Sequence, residues 1–320
     1  MRAGKYLLII MLLVITGRKV YCQLAPFQDE DAIVTPIFQE NIIKDKKIAQ
    51  ITMHYFSKPD DAPITDQGIM LQYFFDTAGK IVESINMTKA DNHIWDSVKC
   101  QYYYDGYGNI SIKRTQMDDF YDTWYYKWNK EGQLQTEDHV HETNALSTGG
   151  DFKIATQKVM SADSFAYIPY PKQLQQYAYN EDNKIFRKTI IQYDEKRRIV
   201  SRNSHYVVGW LYSEVDFTYD DMGRIIRYVN SGNMNGDKSQ STIIKYDSSG
   251  RPDEQGIWNN GKQIHHIEYM YDGETGLISN KLDRDSTNAS ISIVRFSYKM
   301  YNDEGYSRPN GKAGRGMAGK

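Results

Sequence analysis

A nine-residue pattern that returns eight times constrains this chain more than any other feature of it. Its clearest copy is Phe217-Thr218-Tyr219-Asp220-Asp221-Met222-Gly223-Arg224-Ile225. Others centre on Tyr73-Phe74-Phe75-Asp76, Tyr102-Tyr103-Tyr104-Asp105, Tyr126-Lys127-Trp128-Asn129, Tyr177-Ala178-Tyr179-Asn180, Ile191-Gln192-Tyr193-Asp194, Ile244-Lys245-Tyr246-Asp247 and Tyr269-Met270-Tyr271-Asp272. The Asp or Asn anchors lie 29, 24, 51, 14, 26, 27 and 25 residues apart, a period in the range of repeat architectures. The gap of 51 leaves room for one degenerate unit within 149–171, and the spacing of 14 marks a short hairpin between Asn180 and Asp194.

Each residue type in the unit has a mechanical reason. Apolar residues alternate with polar ones up to the anchor, the period of a strand with one buried face. The anchor carboxylate or amide can accept from the backbone two residues on and open a type I turn. The Gly three residues later tolerates the positive φ of a G1-bulge hairpin. That geometry predicts cross-strand pairs Tyr104 with Ile110, Trp128 with Leu134 and Tyr219 with Ile225. Arg197 in place of the turn Gly, Pro252 at the aliphatic position and the longer Asp272–Gly276 loop mark units expected to be irregular or at an edge.

The unit resembles the YD (tyrosine-aspartate) repeat of bacterial Rhs-type proteins, Y-x-Y-D-x-x-G-R-L/I, over roughly residues 72–298. The resemblance implies an all-β fold: repeated antiparallel β-hairpins forming a long twisted, curved or partly closed sheet. In large family members the sheet forms a shell around a toxin domain. This chain is too short for a large cage, so an open or partly closed sheet is expected.

The start of the chain carries a different signal. Met1, Arg2 and Lys5 precede an apolar run to Ile15 and a polar stretch to Cys22, the plan of a secretory signal peptide too short to span a bilayer. Val20 and Cys22 suit the −3 and −1 positions for cleavage before Gln23. Lipidation of Cys22 is the minor alternative. The expected organisation is 1–22 signal peptide, 23–50 lead-in or cap, 51–305 repeat domain and 306–320 Gly- and Lys-rich tail. The expected location is secreted, periplasmic or at the cell surface.

Cleavage would remove four basic residues and no acidic one from a chain of net charge −2, leaving it mildly acidic and ill suited to phosphate backbones. Nucleic acid is therefore not an expected partner, and no transmembrane segment is read beyond the leader. With Cys100 alone after cleavage, stability must come from packing rather than an intramolecular disulfide.

No complete catalytic set is visible, so no catalytic residue and no cofactor are assigned. His139 and His141 have same-face spacing on a strand, with Glu142 adjacent, and could supply two metal ligands. A third ligand with defined spacing is not apparent, so no metal site is assigned. His265 and His266 should face opposite sides of a strand. The acidic pairs Asp60-Asp61, Asp118-Asp119 and Asp220-Asp221 lack the fixed separation that glycosidase carboxylates need, and Asp220 belongs to a turn. Cys100 reads as a buried, inert thiol.

Among aromatic residues outside the strict anchors, Trp124, Trp210 and Trp258 are the candidate ligand-binding residues, each weighed against a packing role. The expected function is an exported non-enzymatic repeat protein that binds a carbohydrate or protein ligand. An extracellular or periplasmic hydrolase with a site near His139–Glu142, and a structural envelope component, are the alternatives.

Overall fold

The computed structural model describes residues 38–89, 95–117, 120–144, 154–234, 239–288 and 290–302. The expected signal peptide, the expected cleavage site before Gln23, most of the expected lead-in and the expected 306–320 tail lie outside the described residues. A short helix, α1 (Glu40–Asp45), leads into β1 (Ile48–Pro59), β2 (Thr65–Phe75), β3 (Ile81–Lys89), β4 (Trp95–Tyr104), β5 (Ile110–Gln116) and β6 (Tyr121–Trp128). There follow β7 (Leu134–Asn144), β8 (Ile154–Tyr170), β9 (Gln173–Tyr179), β10 (Ile185–Tyr193), β11 (Ile199–Tyr206) and β12 (Tyr212–Tyr219). The chain ends in β13 (Ile225–Gly232), β14 (Gln240–Tyr246), β15 (Pro252–Asn259), β16 (Lys262–Tyr271), β17 (Ile278–Asp285) and β18 (Ser290–Met300).

All 18 strands belong to one antiparallel sheet. Each pairs with its neighbours in sequence, and β18 pairs with β1 from Ile48↔Met300 to Pro59↔Ser290. The sheet is therefore a closed up-and-down barrel. This corrects the expectation of an open or partly closed sheet. Among the described residues closure leaves no unpaired strand edge, the surface on which an open repeat sheet would pair with another chain.

The turns follow the sequence reading closely. In the Asp220 hairpin, Asp220 N donates to Arg224 O at 3.0 Å and Gly223 N to Asp220 O at 3.0 Å, while Asp220 Oδ1 accepts from Arg224 N at 2.8 Å. The pairs Tyr104↔Ile110, Trp128↔Leu134 and Tyr219↔Ile225 form across the bulge. Arg197 adopts φ +61° and Asn183 φ +58°, so both keep the geometry of the Gly units. Pro252 likewise sits opposite Tyr246 across an ordinary bulge. These two units are regular, contrary to expectation. Only the Asp272 turn is longer, closing between Asp272 N and Leu277 O.

Connections alternate between the two rims of the barrel. The Asp or Asn turns after β2, β4, β6, β10, β12, β14 and β16 share one rim, and Asn180, between β9 and β10, lies at the other. That reversal explains the spacing of 14. The gap of 51 is filled by β7 and the 17-residue β8, which turns into β9 at Pro171-Lys172 without an anchor Asp.

A second device joins successive hairpins. The anchor-adjacent tyrosine of one unit donates its hydroxyl to the bulge carbonyl of the unit before it. Examples are Tyr104 to Ile81 O (2.7 Å), Tyr219 to Ile199 O (2.6 Å), Tyr246 to Ile225 O (2.6 Å) and Tyr271 to Pro252 O (2.6 Å). The Arg four residues after an anchor binds that anchor and covers the next tyrosine ring. Arg224 Nε is 2.7 Å from Asp220 Oδ2, and its guanidinium lies 4.3 Å from the Tyr246 ring centre. Arg198 over Tyr219 and Arg251 over Tyr271 repeat the arrangement. Tyr and Arg of the motif are thus inter-hairpin ties, and Asp and Gly are turn formers.

Side-chain alternation defines the two walls. One face is the less exposed around the ring, with Cys100, Tyr126, Ala178, Thr189, Ser204, Thr242, Ile244 and Ile267 buried on it; it faces inward. The largest apolar cluster lies at the turn rim, where Phe38 and Ile43 pack against Ile51, Tyr73, Phe75, Ile278, Val294 and Phe296. Helix α1 therefore caps the barrel where β1, β2, β17 and β18 meet. Burying such side chains contributes about 1.5–3 kcal/mol each, which ties the ring's first and last strands together.

Candidate functional site

The most exposed large apolar side chain, Trp210, stands on the rim opposite α1. Between β11 and β12 the chain runs Val207-Val208-Gly209-Trp210-Leu211, and Val208 and Trp210 are 80% and 91% exposed. This loop is nonetheless fixed. Asn233 Nδ2 donates to Trp210 O at 2.9 Å and Asn233 Oδ1 accepts from Tyr212 N at 2.8 Å, while Tyr206 N donates to Leu211 O at 2.9 Å. Trp210 sits at φ +54°, a conformation that costs a bulky residue on the order of 1–3 kcal/mol and persists only where the surroundings impose it. Ile64, Trp95, Met117 and Met234 are also exposed at strand ends or connections of this rim.

The three candidate tryptophans are not brought together. Trp210 stands at the loop tip. Trp124 faces inward on β6, its ring stacked on His139 at 4.2 Å and 6°. Trp258 faces outward on β15, half-buried beside Gly256.

The histidine region divides between the two walls. Pairing of Asp122 with His141 and of Trp124 with His139 puts all four on the inward face. His139 Nε2 lies 2.5 Å and His141 Nε2 3.2 Å from Asp122 Oδ1. Glu142, next in sequence to His141, necessarily points to the other wall. A site uniting His139, His141 and Glu142 does not form. The sequence signal that was missed is Asp122, 17 residues before His139 and reachable only through the register of β6 with β7.

Glu142 has its own buried setting. Its side chain is fully buried, with Arg114 Nε and a second Arg114 nitrogen each 2.9 Å from Oε2, Thr123 Oγ1 at 2.8 Å and Gln157 Nε2 2.9 Å from Oε1. Tyr125 also donates its hydroxyl to Oε1. Burial pulls the Glu142 carboxyl upward, but the donors from Tyr125, Gln157, Thr123 and Arg114 outweigh it and hold the group below the ordinary glutamate range. The same contact, after burial, pushes the Tyr125 phenol up to about 12. A carboxylate with every lone pair engaged is a structural ion, not a poised base.

Other predicted positions settle quietly. His265 pairs with Asp283 inside and His266 with Glu268 outside, on opposite faces as expected. Asp220 is a turn residue, and Cys100 is buried with Thr115 Oγ1 3.5 Å from its sulfur. The acidic pair Asp118-Asp119 lies outside the described residues. Inside the wall, burial and then Asp163 raise the Glu137 carboxyl, and burial lowers the Lys281 ammonium.

Charged side chains stand on both walls, Glu83 with Lys99 and Lys245 with Glu254 outside and Lys113, Arg187 and Lys281 inside, and of these Lys99, Lys113 and Lys281 are at mid-strand. A lipid-facing wall needs an apolar band about 25 Å tall, and Lys or Arg at its middle costs about 2–4 kcal/mol. Among the described residues neither wall offers such a band. Among the described residues no helix is long and apolar enough to cross a membrane.

No protein-family model matches the chain, and no curated protein matches it in sequence. Among solved structures it is similar to a porin-like protein from Bacteroides uniformis, with 10% identity, 79% of this chain and 97% of that one covered, and a TM-score of 0.39. A LolA superfamily protein from Nitrosomonas europaea aligns at 10% identity over 81% of this chain and 91% of its own, TM-score 0.25. The Photorhabdus luminescens Tc holotoxin pore aligns at 10% identity over 69% of this chain and 14% of its own, TM-score 0.21. With TM-scores this low, the closure of the barrel rests on its own strand pairing.

Proposed function

We propose that this is an exported, non-enzymatic barrel of YD-type hairpins that binds a protein partner at or outside the cell envelope, with Trp210 as the anchor. The observation that carries the reading is the Val207–Leu211 loop: large apolar side chains held out into solvent by a braced, strained backbone. Isolated exposed apolar residues are ordinary, but a contiguous set on an ordered tip marks an interaction site. Preorganisation lowers the entropy lost on binding, and tryptophan is the residue type most often found as an interface anchor. The loop offers aliphatic groups and few hydrogen-bonding side chains, which favours an apolar protein pocket over a sugar. The leader-like start of the chain supports export, and the separation of Glu142 from the two histidines weakens the hydrolase alternative.

The test is capture of envelope and culture-medium proteins by the mature chain, with a glycan array in parallel. Trp210→Ala is expected to weaken binding of the captured protein by roughly ten- to a hundredfold, the effect of losing about 1–3 kcal/mol at an anchor. Its melting temperature should not fall, because the ring is almost wholly exposed. Equal affinity of wild type and variant would contradict the reading, as would glycan binding without a protein partner or chemical turnover of the ligand.

A further inference from the structure

We propose that Asp122, His139 and His141 form a binding site for one divalent transition metal of the zinc type on the inner wall of the barrel. Each offers one ligand atom, and the three atoms lie within 4.8 Å of one another. The ligands come from two adjacent strands in fixed register, Asp122↔His141 and Trp124↔His139, so the set is built by the sheet and not by a loop. Two imidazoles and a carboxylate are the donor set used by open, catalytic or ligand-accepting metal sites, and imidazole suits zinc and its neighbours.

The rings are held in place before any ion enters. Trp124 stacks flat on His139, Phe120 lies 4.5 Å from His141, and the two imidazole planes stand at 83° to each other. Atoms sharing one tetrahedral zinc ion lie about 3.3 Å apart, given Zn–N and Zn–O bonds of about 2.0–2.2 Å. The 3.2 Å between His141 Nε2 and Asp122 Oδ1 already suits that edge. The 2.5 Å between His139 Nε2 and Asp122 Oδ1 would open toward the same edge length when an ion takes the place of the hydrogen bond. The side chains are 21–33% exposed, so an ion can reach them and a fourth position remains for water or a ligand donor.

The other described histidines provide an internal contrast. His54 with Asp66, His265 with Asp283 and His266 with Glu268 are each one imidazole paired with one carboxylate, and His205 lies against the Tyr212 ring; none of them belongs to a three-ligand group.

The experiment is calorimetric titration of the mature chain with Zn2+ at neutral pH, and absorption spectroscopy with Co2+ as a probe of coordination. One saturable site per chain and the intense visible bands of low-coordinate Co2+ are expected. Asp122→Asn and His141→Ala should each weaken Zn2+ binding by at least the roughly tenfold that loss of an outer-shell partner costs, and His265→Ala should leave it unchanged. Asp122→Asn preserves shape, so it decides the matter if His141→Ala fails to fold, as judged by circular dichroism. Absence of saturable binding, or binding that survives Asp122→Asn, would show that the three groups are only a hydrogen-bonded cluster and would overturn the proposal.

Discussion

Gly79→Ala should destabilise the barrel by about 3 kcal/mol or more, far beyond what an ordinary turn glycine would cost. Two effects add at this position. Its φ of +88° carries a penalty of about 1–2 kcal/mol for a residue with a Cβ. In addition, a Cβ built there would lie 2.2 Å from Glu40 O and 3.0 Å from Lys44 N, so α1 would have to leave its seat on the rim. Gly132 isolates the first effect. It has φ +73° and nothing within 4 Å of a Cβ, so Gly132→Ala should cost only about 1–2 kcal/mol. Urea unfolding of the two variants measures the difference. Equal losses would mean that α1 does not cap the barrel.

The second large effect is expected at Arg114. Arg114→Met would leave the fully buried Glu142 without its cation, and removal of one partner of a buried pair typically costs about 3–5 kcal/mol. Replacing both partners, Arg114→Met with Glu142→Gln, should recover much of the loss, because the uncompensated charge is gone. Denaturant midpoints at constant m-value would separate the two cases. A single-variant loss below about 1 kcal/mol would place Glu142 in contact with water instead.

The hairpins were legible because their chemistry is local. An Asp that accepts from the backbone two and four residues on, and a residue able to take positive φ, are visible within one stretch of nine. Even Arg197 obeyed the rule. There the anchor Asp194, the paired strands and the stacked neighbours impose the conformation that glycine supplies elsewhere. The tie from Tyr246 to the Ile225 carbonyl was less visible, since it joins residues 21 apart, although it gives the repeated tyrosine its purpose.

What sequence could not supply was everything set by long-range register. Closure depends on β18 meeting β1, and no residue in Ser290–Met300 announces a partner some 240 positions earlier. The accumulated twist and stagger of the intervening strands decide it. Likewise His139 and His141 were read correctly as a same-face pair, but their carboxylate is Asp122 across the β6–β7 ladder. Glu142, adjacent in sequence, was excluded by the alternation of a strand.

Cross-linking β1 to β18 tests the closed barrel most directly. Thr52 and Ser297 are cross-strand partners on the outward wall. Directly opposed Cα atoms in such a pair lie about 4.5–5.5 Å apart, within the range a disulfide can bridge. Under mild oxidation the Thr52→Cys/Ser297→Cys variant should form an intramolecular disulfide in the folded monomer, seen as faster migration without reductant and a mass lower by two hydrogens. The Thr52→Cys/Asn203→Cys variant, with its second cysteine on β11, should keep both thiols free. Free thiols in the folded Thr52→Cys/Ser297→Cys monomer would contradict closure and return the protein to an open sheet.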